Sequence, residues 1–343
     1  MNLRPYGNVG PPSDKYNSKA KDEKLMHCPT ITELPPPPAG YTGWPWTAEG
    51  IHLPDKMPNG FDWPRISIIT PSYNQVEYLE ATIRSILLQG YPDLEYIVMD
   101  GGSTDGSLDI IKRYSPWLSH WESGTDSGQY AAIEKGFGLS NSEIMAWLNS
   151  DDMYFPWTLK TIGEVFGNFP NIDWLTTSNT ATTAYDGSTI TFLNQMKYSR
   201  RWFSENRNLR KTNGFIQQES TFWRHSLWKK AGGMMESQFL YAGDFELWAR
   251  FYKYTGLVTT NTPLGIFRYH PGQKTRVMDR YIEEAEIVLK KIPRPIFFPE
   301  FLLKVLRFPF KYLNSDVDWF GTKCDQVRFD PQLNQWLYVK SFT

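Results

Sequence analysis

Cysteine, net charge and long apolar runs are all scarce in this sequence. Its 343 residues include two cysteines with no CxxC or Cys/His spacing around them, which argues against a disulfide framework or a zinc site and favours a reducing compartment. The 36 basic and 37 acidic residues nearly cancel, so the bulk charge gives no reason to expect a nucleic acid partner. No run of about 18 apolar residues and no secretory signal is present. We therefore expect a cytoplasmic protein, either soluble or peripheral at the inner face of the membrane.

The composition divides the chain into three parts. Residues 1–60 are rich in proline, glycine and lysine and include the run PPPP, which predicts an extended arm. The segment YTGWPW at 41–46 is expected to attach this arm to the main domain, residues 61–275; the alternative is attachment to a partner. Residues 276–343 are expected to form a helical tail. Within it, residues 296–312 predict an amphipathic helix that either lies on a membrane surface or packs on the domain.

Between residues 65 and 148, short β-branched runs alternate with helical periodicity. The runs predict strands at 65–70, 94–99, 118–122 and 143–148, with helices between them. This alternation predicts an α/β fold with an open, mostly parallel sheet flanked by helices, as in Rossmann-related proteins.

A polar loop follows each of these strands. The loops read TPSYN, DGGSTDG, GTDSG and NSDD. Because ligands of open α/β sheets bind outside the carboxyl ends of the strands, the four loops predict one functional site along this edge.

Asp100 ends the second predicted strand and precedes two glycines, which allow a ligand to approach the backbone closely. Its carboxylate can accept a hydrogen bond from a ring N–H, which uracil, thymine and guanine carry and cytosine lacks. The pattern therefore favours a nucleotide of one of these three bases. The alternative is that Asp100 and Ser103 only shape the turn or cap the next helix.

Asp151 and Asp152 directly follow the fourth predicted strand. Adjacent carboxylates suit a hard divalent cation, Mg²⁺ or Mn²⁺, which proteins hold with one or two carboxylates plus substrate phosphates and water. Such an ion would neutralise the charge that builds on a departing diphosphate. The alternative is a capped or solvated turn before Pro156.

The ordered motifs of residues 66–269 resemble those of family 2 glycosyltransferases. They are SIITPSYNQVEYLEATIRSILLQGYPDLEYIVMDGGSTDGS, SGTDSGQYAAIEKGF, WLNSDDMY, IQQESTFWR, GDFELWAR and FRYH. The resemblance implies a GT-A-like fold in which residues 65–177 bind a nucleotide sugar and residues 178–275 supply the acceptor site and the base. The sequence departs from the family pattern in two places. Asn149 replaces the first acid of the DXD-type triplet, and the segment QYAAIEKG has Ala131 where an acidic residue is common and Glu134 where asparagine is common.

The resemblance also implies roles for individual residues. Asp151 is the metal-binding member of the DXD-type motif, with Asp152 beside it. His270, after the last predicted strand, either completes the metal or diphosphate site or is structural. The residues implied to contact the nucleotide sugar are Pro71, Tyr73, Asn74, Glu77, Asp100, Asp126, Lys135 and Gln218.

An inverting transfer is a single displacement that needs a carboxylate to take the proton of the acceptor hydroxyl. The resemblance assigns this role to Asp244. Glu246 is the second candidate, and a simple helix N-cap is the alternative role of Asp244.

We therefore expect a metal-assisted enzyme of polysaccharide biosynthesis that transfers a hexose from a UDP, GDP or dTDP sugar to a glycan or lipid-linked acceptor. The rivals are a nucleotide-sugar-binding protein without turnover and a nucleotidyltransferase on a related fold. The loop TPSYNQVEY lacks the glycine and lysine of the phosphate loop that a nucleotidyltransferase usually has after its first strand.

Overall fold

Two β-sheets form the framework of the protein, a nine-stranded sheet and a four-stranded sheet. The structure is a computed structural model that describes residues 28–183, 189–194, 198–205, 215–273, 277–292 and 324–341.

Strands and helices alternate regularly up to residue 177 and less regularly after it. The strands are β1 (Ile66–Ser72), β2 (Leu94–Asp100), β3 (His120–Ser123), β4 (Ile144–Trp147), β5 (Met153–Tyr154), β6 (Trp174–Thr177), β7 (Asn179–Thr183), β8 (Ile190–Asn194), β9 (Phe222–Arg224), β10 (Val258–Thr260), β11 (Gly265–Phe267), β12 (Gln326–Asp330) and β13 (Gln335–Val339). The helices are α1 (Val76–Leu87), α2 (Ser107–Tyr114), α3 (Gln129–Leu139), α4 (Thr158–Asn168), α5 (Arg200–Glu205), α6 (His225–Lys230), α7 (Gly243–Phe251) and α8 (Met278–Lys291). Short 3₁₀ turns cover Ser115–Trp117 and Gln218–Ser220.

The larger sheet has the strand order β13-β12-β10-β6-β9-β4-β1-β2-β3. Its pairs are parallel except those of β9 with β4 and β6 and that of β13 with β12. The prediction of an open, mostly parallel sheet is confirmed. Ser72 is in register with Asp100, and Asp100 with Ser123, so the loops after β1, β2 and β3 meet at one edge.

The smaller sheet, of order β5-β11-β7-β8, contacts through β11 the 3₁₀ turn that leads into β9 of the larger sheet. The Gly265 N–H donates to Ser220 Oγ at 3.0 Å, and a Cβ added to Gly265 would lie 2.5 Å from the carbonyl oxygen of Glu219. Only a glycine therefore lets β11 approach this turn so closely. The contact brings residues after β11 to the same edge as the loop after β4.

Four tryptophans form the centre of the core under this edge. Trp147, Trp174, Trp223 and Trp248 are buried, and the rings of Trp147 and Trp248 stack with centroids 5.9 Å apart. Because buried aromatic rings remove a large apolar area from water, this cluster stabilises the core directly beneath the edge of the sheet.

The part of the predicted arm that the structure describes packs on the main domain around one guanidinium group. Arg84 of α1 is fully buried and donates to the carbonyl oxygens of Pro35 at 2.8 Å, Pro45 at 2.9 Å and Trp46 at 3.0 Å. The Trp44 indole also donates to the Tyr154 carbonyl oxygen at 2.8 Å. The segment at 41–46 therefore contacts the domain, as predicted.

The C-terminal part differs from the predicted helical tail. Helix α8 confirms the first part of that prediction, but β12 and β13 form a hairpin that extends the larger sheet. Buried Val327 on β12 explains the pairing, because its side chain completes the core beside β10. The predicted amphipathic helix at 296–312 lies outside the described residues. Among the helices that the structure describes, none combines the length and apolar character needed to cross a bilayer.

Candidate active site

Asn74 and Ser103 join the loop after β1 to the loop after β2. The Asn74 N–H donates to Ser103 Oγ at 2.8 Å, and the Thr104 N–H donates to Asn74 Oδ1 at 2.9 Å. Asn74 adopts φ 51°, a conformation that asparagine tolerates better than most residues. Its side chain is therefore used to hold the two loops together.

Asp100 is buried, and protein donors surround its carboxylate. Oδ1 accepts from Ser103 Oγ at 2.5 Å, and Oδ2 accepts from Ser123 Oγ at 2.6 Å and the Ser103 N–H at 2.9 Å. This arrangement corresponds to the turn-shaping alternative, and the carboxylate does not line the cavities described below. The neighbouring Gly101 lines the first of them.

The first cavity, of about 580 Å³, opens along the carboxyl ends of β1, β2 and β4. The Tyr73 ring stands at its wall and is 62% exposed. A Cβ added to Gly101 would lie 3.2 Å from Asp126 Oδ2 and 3.4 Å from the Tyr73 ring, so these two side chains flank Gly101. The lining comprises Pro71, Ser72, Tyr73, Gln75, Gly101, Thr125, Asp126, Gly128, Gln129, Ala132, Asn149, Ser150, Asp151, Asp152, Phe267, Gly272 and Gln273.

The second cavity, of about 420 Å³, adjoins the first and shares Gln129, Asn149, Phe267 and Gln273 with it. Seven of its lining residues are phenylalanine, tyrosine or tryptophan, and two carboxylic acids, Glu219 and Asp244, face it. The full lining is Gln129, Tyr130, Trp147, Asn149, Phe215, Ile216, Gln217, Gln218, Glu219, Tyr241, Asp244, Phe267, Tyr269, His270, Gln273, Met278 and Tyr281.

Asp151 and His270 connect the two cavities. Asp151 lines the first and His270 the second, and their Oδ2 and Nε2 atoms are 2.9 Å apart. The Gly272 N–H lies 3.2 Å from His270 Nδ1, which assigns the ring proton to Nε2 and makes His270 the donor to Asp151.

Arg268 holds the loop that carries Asp151 against α1. Its guanidinium donates to the carbonyl oxygens of Asp151 and Asp152 and to Thr82 Oγ1. The Arg268 N–H donates to Asp152 Oδ1 at 3.1 Å. Burial raises the pKa of Asp152 well above its usual range, and the nearby charge of Asp151 raises it further. Asp152 is therefore mainly a structural partner of Arg268.

These residues fit a divalent cation that is held partly by its substrate. No group of three or more histidine, cysteine or acidic residues with metal-site geometry occurs in the described part of the chain. Carboxylate oxygen and imidazole nitrogen are nevertheless suitable donors for Mn²⁺, and such ions commonly take their remaining ligands from phosphate and water. Asp151 and His270 would hold the ion, with His270 as the other neutral tautomer, in which Nδ1 carries the ring proton and Nε2 faces the metal.

Asp244 lies in the first turn of α7 at the second cavity. Tyr281 donates to its Oδ2 at 3.3 Å, whereas Oδ1 is buried without a hydrogen-bond partner among the described residues. Burial raises the pKa of Asp244 to about 7, a value suited to a general base near neutral pH. Gln218, which donates to the Trp147 carbonyl oxygen at 2.6 Å, leaves its Oε1 similarly without a partner.

Of the eight residues implied to bind the nucleotide sugar, four line neither site cavity: Asn74, Glu77, Asp100 and Lys135. Lys135 pairs with Glu122 at 2.5 Å and lines a different cavity, together with Ala131. The helical period explains where Lys135 lies, because Gln129 and Ala132 face the first cavity and Ala131 and Lys135 lie on another face of α3. Glu77 is exposed on α1 and lines neither site cavity.

Two further acidic residues, Glu246 and Glu219, differ in where the structure places them. Glu246, the second candidate for the base, is paired with Arg250 at 2.8 Å and lies outside the second cavity. Glu219 faces that cavity, and burial raises its pKa to about 8. Its only sequence signal was its position in the motif IQQESTFWR, because the 3₁₀ turn that buries it has no recognisable period.

Sequence comparison matches the part of the chain that lines most of the first cavity to a known family. Residues 67–229 match the family described as Glycosyl transferase family 2. An uncharacterized glycosyltransferase of Nostoc sp. is 36% identical over 105 residues, which cover 30% of this chain and 33% of that protein. The putative teichuronic acid biosynthesis glycosyltransferase TuaG of Bacillus subtilis is 36% identical over 96 residues, 26% of this chain and 37% of that protein. The chain thus spans about a third of the length of these curated relatives.

Solved structures show the same fold at low sequence identity. S. aureus TarS superposes with a TM-score of 0.51 at 18% identity, over 72% of this chain and 44% of that chain. TarS 1–349 in complex with UDP-GlcNAc gives 0.52 at 17% identity, over 72% of this chain and 73% of that chain. Residues 67–229 therefore match glycosyl transferase family 2, and the mostly parallel sheet with the loops at its edge has the GT-A fold.

Proposed function

We propose that this protein transfers a hexose from a nucleoside-diphosphate sugar to a hydroxyl of a glycan or lipid-linked acceptor, with inversion and with the help of a divalent cation. The observation that carries the proposal is the pair of adjoining cavities, connected by Asp151 and His270, with Asp244 in the second. A donor in the first cavity and an acceptor in the second would meet at this junction.

The first cavity suits the nucleotide. Its volume of about 580 Å³ is within the range of cofactor-sized sites. The exposed Tyr73 ring offers a stacking surface for a base, as aromatic side chains do in nucleotide sites. Asp126 Oδ2 lies beside Gly101 and is better placed than the enclosed Asp100 to accept a ring N–H of uracil, thymine or guanine. TarS binds UDP-GlcNAc, which supports testing UDP sugars first.

The junction suits the diphosphate. Asp151 and His270 would hold Mn²⁺ or Mg²⁺, which when bound neutralises negative charge on the leaving diphosphate. Asn149 in place of an acid leaves one negative charge fewer beside that group. Gln129 holds the Asn149 side chain by a hydrogen bond of 2.6 Å, which fixes the wall between the two cavities.

The second cavity suits the acceptor. Its aromatic wall offers stacking faces for a sugar, and the Asp244 Oδ1 and Gln218 Oε1 atoms are acceptors for its hydroxyl groups. Asp244 would take the proton of the attacking hydroxyl as its oxygen bonds to the anomeric carbon. The bond from that carbon to the diphosphate breaks in the same displacement, so the configuration inverts.

The test is release of nucleoside diphosphate and formation of glycosylated product from a panel of UDP, GDP and dTDP sugars with Mn²⁺ or Mg²⁺. Asp244→Asn should keep donor affinity and lower kcat by roughly 10²–10⁴-fold, the usual cost of losing a general base. Chelation of the cation should stop transfer. Glu246→Gln, on the same helical turn, is the matched control and should retain turnover.

Two results would redirect the assignment. Binding of UDP or GDP without any product would favour a nucleotide-sugar-binding protein. Loss of turnover in Glu246→Gln with full activity in Asp244→Asn would move the base to Glu246.

A further inference from the structure

Helix α8 borders the second cavity, although it lies after the segment 67–229 that matches the family. Met278 and Tyr281 from this helix line the cavity beside Asp244. The same face of α8 continues one turn later with Glu284, because residues three apart are neighbours on a helix.

Glu284 binds the backbone immediately before α7. Its Oε2 accepts from the N–H groups of Tyr241 and Ala242, both at 2.8 Å, and its Oε1 accepts from the Leu240 N–H at 3.0 Å. Hydrogen bonds from backbone N–H groups to a carboxylate are stronger than neutral ones. One side chain of α8 thus fixes three consecutive residues that lead into the helical turn of Asp244.

Two tyrosines complete the surroundings of that turn. Tyr281 donates to Asp244 Oδ2 at 3.3 Å, and Tyr130 of α3 donates to the Tyr241 carbonyl oxygen at 2.9 Å. A Cβ added to Gly243 would lie 2.7 Å from the Tyr130 ring, so the turn packs directly on that ring. The backbone before Asp244 is therefore held from α3 and from α8.

We infer that α8 positions the base, with Glu284 fixing the entry of α7 and Tyr281 orienting the Asp244 carboxylate so that Oδ1 remains for the acceptor hydroxyl. Both are positioning residues, since they act through Asp244. The inference rests on the proposed function, in which Asp244 is the base.

The charges around Asp244 make the inference testable by pH. The negative charge of Glu284 raises the pKa of Asp244, and the hydrogen bond from Tyr281 lowers it. Tyr130 and Glu219 are the other titratable groups that interact with Asp244, from α3 and from the 3₁₀ turn. Removing Glu284 and removing the Tyr281 hydroxyl should therefore move the pKa of the base in opposite directions.

The experiment measures kcat against pH, donor KM and Tm for Glu284→Gln and Tyr281→Phe. We expect kcat to fall on the order of 10²-fold in Glu284→Gln and about 10-fold in Tyr281→Phe, because small displacements of a catalytic group are costly. Donor KM should stay near the wild-type value. The acid limb of the kcat profile should move to lower pH in Glu284→Gln and to higher pH in Tyr281→Phe.

Glu283→Gln is the control, because Glu283 is exposed on α8 and its carboxylate lies 3.5 Å from the Arg280 guanidinium, away from α7. It should keep the wild-type profile.

Wild-type kcat and profile in both test variants, with Asp244→Asn inactive, would overturn the inference and leave the proposed function standing. A common shift of both acid limbs, or lower Tm with no shift, would also overturn it. A wild-type protein inactive with every donor would overturn both. If Glu284→Gln does not fold, Tyr281→Phe, which lacks one hydroxyl, still decides.

Discussion

Asn149 illustrates how a single residue adapts the acidic loop of this site. Its Oδ1 accepts from Gln129 Nε2 at 2.6 Å, and its Nδ2 donates to Asp152 Oδ2 at 3.4 Å. A carboxylate at this position has no donor and would add a negative charge beside Asp151 and Asp152. The amide of Asn149 therefore supplies both a hydrogen-bond acceptor, for Gln129, and a donor, for Asp152, which an acid at this position could not do.

Glu219 is the second residue whose environment controls its protonation. Burial raises its pKa to about 8, and the neighbouring charges of Asp244 and Asp151 contribute in the same direction. Between the unfolded pKa of about 4.3 and the folded value, the folded state keeps a proton that the unfolded state releases. The stability contributed by neutral Glu219 is therefore complete at low pH and is lost as the pH rises toward 8.

Glu219→Gln should remove this loss, because the amide does not titrate. We expect the free energy of unfolding of the variant, relative to wild type, to increase by about 3–4 kcal/mol between pH 5 and pH 8. Urea unfolding at both pH values measures it. The exposed Glu286→Gln is the control and should show a constant difference; a constant difference for Glu219→Gln as well would mean that Glu219 is ionised in the folded protein.

Helix α1 shows at the scale of one element how the N-terminal segment is attached. The buried Arg84 guanidinium reaches three carbonyl oxygens of that segment and donates to Tyr114 Oη at 3.0 Å, which in turn donates to Glu80 at 2.8 Å. The planar guanidinium presents donors in several directions, which an ammonium group does not. Arginine at position 84 can therefore hold the N-terminal segment on α1 in a way that lysine could not.

Arg84→Lys should weaken this attachment, since it leaves buried carbonyl oxygens without donors. We expect the free energy of unfolding to fall by about 3 kcal/mol, given a cost of about 1–3 kcal/mol for each unsatisfied buried group. Chemical denaturation measures the change, and proteolysis near residues 41–46 should accelerate. Arg113→Lys, at a half-exposed position on α2, is the matched control. Equal stability of the two variants would show that the segment contributes nothing to folding.

At the scale of the whole molecule, the site depends on the contact between the two sheets. Gly265 of β11 packs on Glu219, and the chain continues from β11 to Arg268 and His270. The smaller sheet therefore delivers the histidine of the junction, while the larger sheet delivers Asp151. Displacing β11 would separate these two residues, which are 2.9 Å apart.

Gly265→Ala should cause such a displacement, because the new Cβ would lie 2.5 Å from the carbonyl oxygen of Glu219. This oxygen belongs to the backbone, so it cannot move aside as the end of a flexible side chain could. We expect a loss of about 1–3 kcal/mol in stability, the usual cost of overpacking, together with weaker metal-dependent binding of nucleotide. Calorimetry with and without Mn²⁺ measures both effects. Gly256→Ala is the control, since no atom lies within 4 Å of its added Cβ. Unchanged metal dependence in Gly265→Ala would show that the sheet contact does not set the junction.

The sequence by itself determined the strands, the edge of the sheet and the loops along it, because parallel strands separated by helices must end on the same side. Asp126 and Asp151 could therefore be placed near each other from local pattern alone. Asp244 was identified only through the family resemblance, since its helix gives no local sign of a cavity.

The tertiary structure decided how each side chain is used. Asp100 looked available in the sequence, but Ser123 from another loop and Ser103 occupy its oxygens. Lys135 lies on the other face of α3, a consequence of helical phase relative to a sheet that the sequence does not orient. Glu284 and Tyr281 reach the entry of α7 from about 40 residues away in the chain. Contacts between distant segments depend on how elements pack, and packing leaves no periodic signal in the sequence.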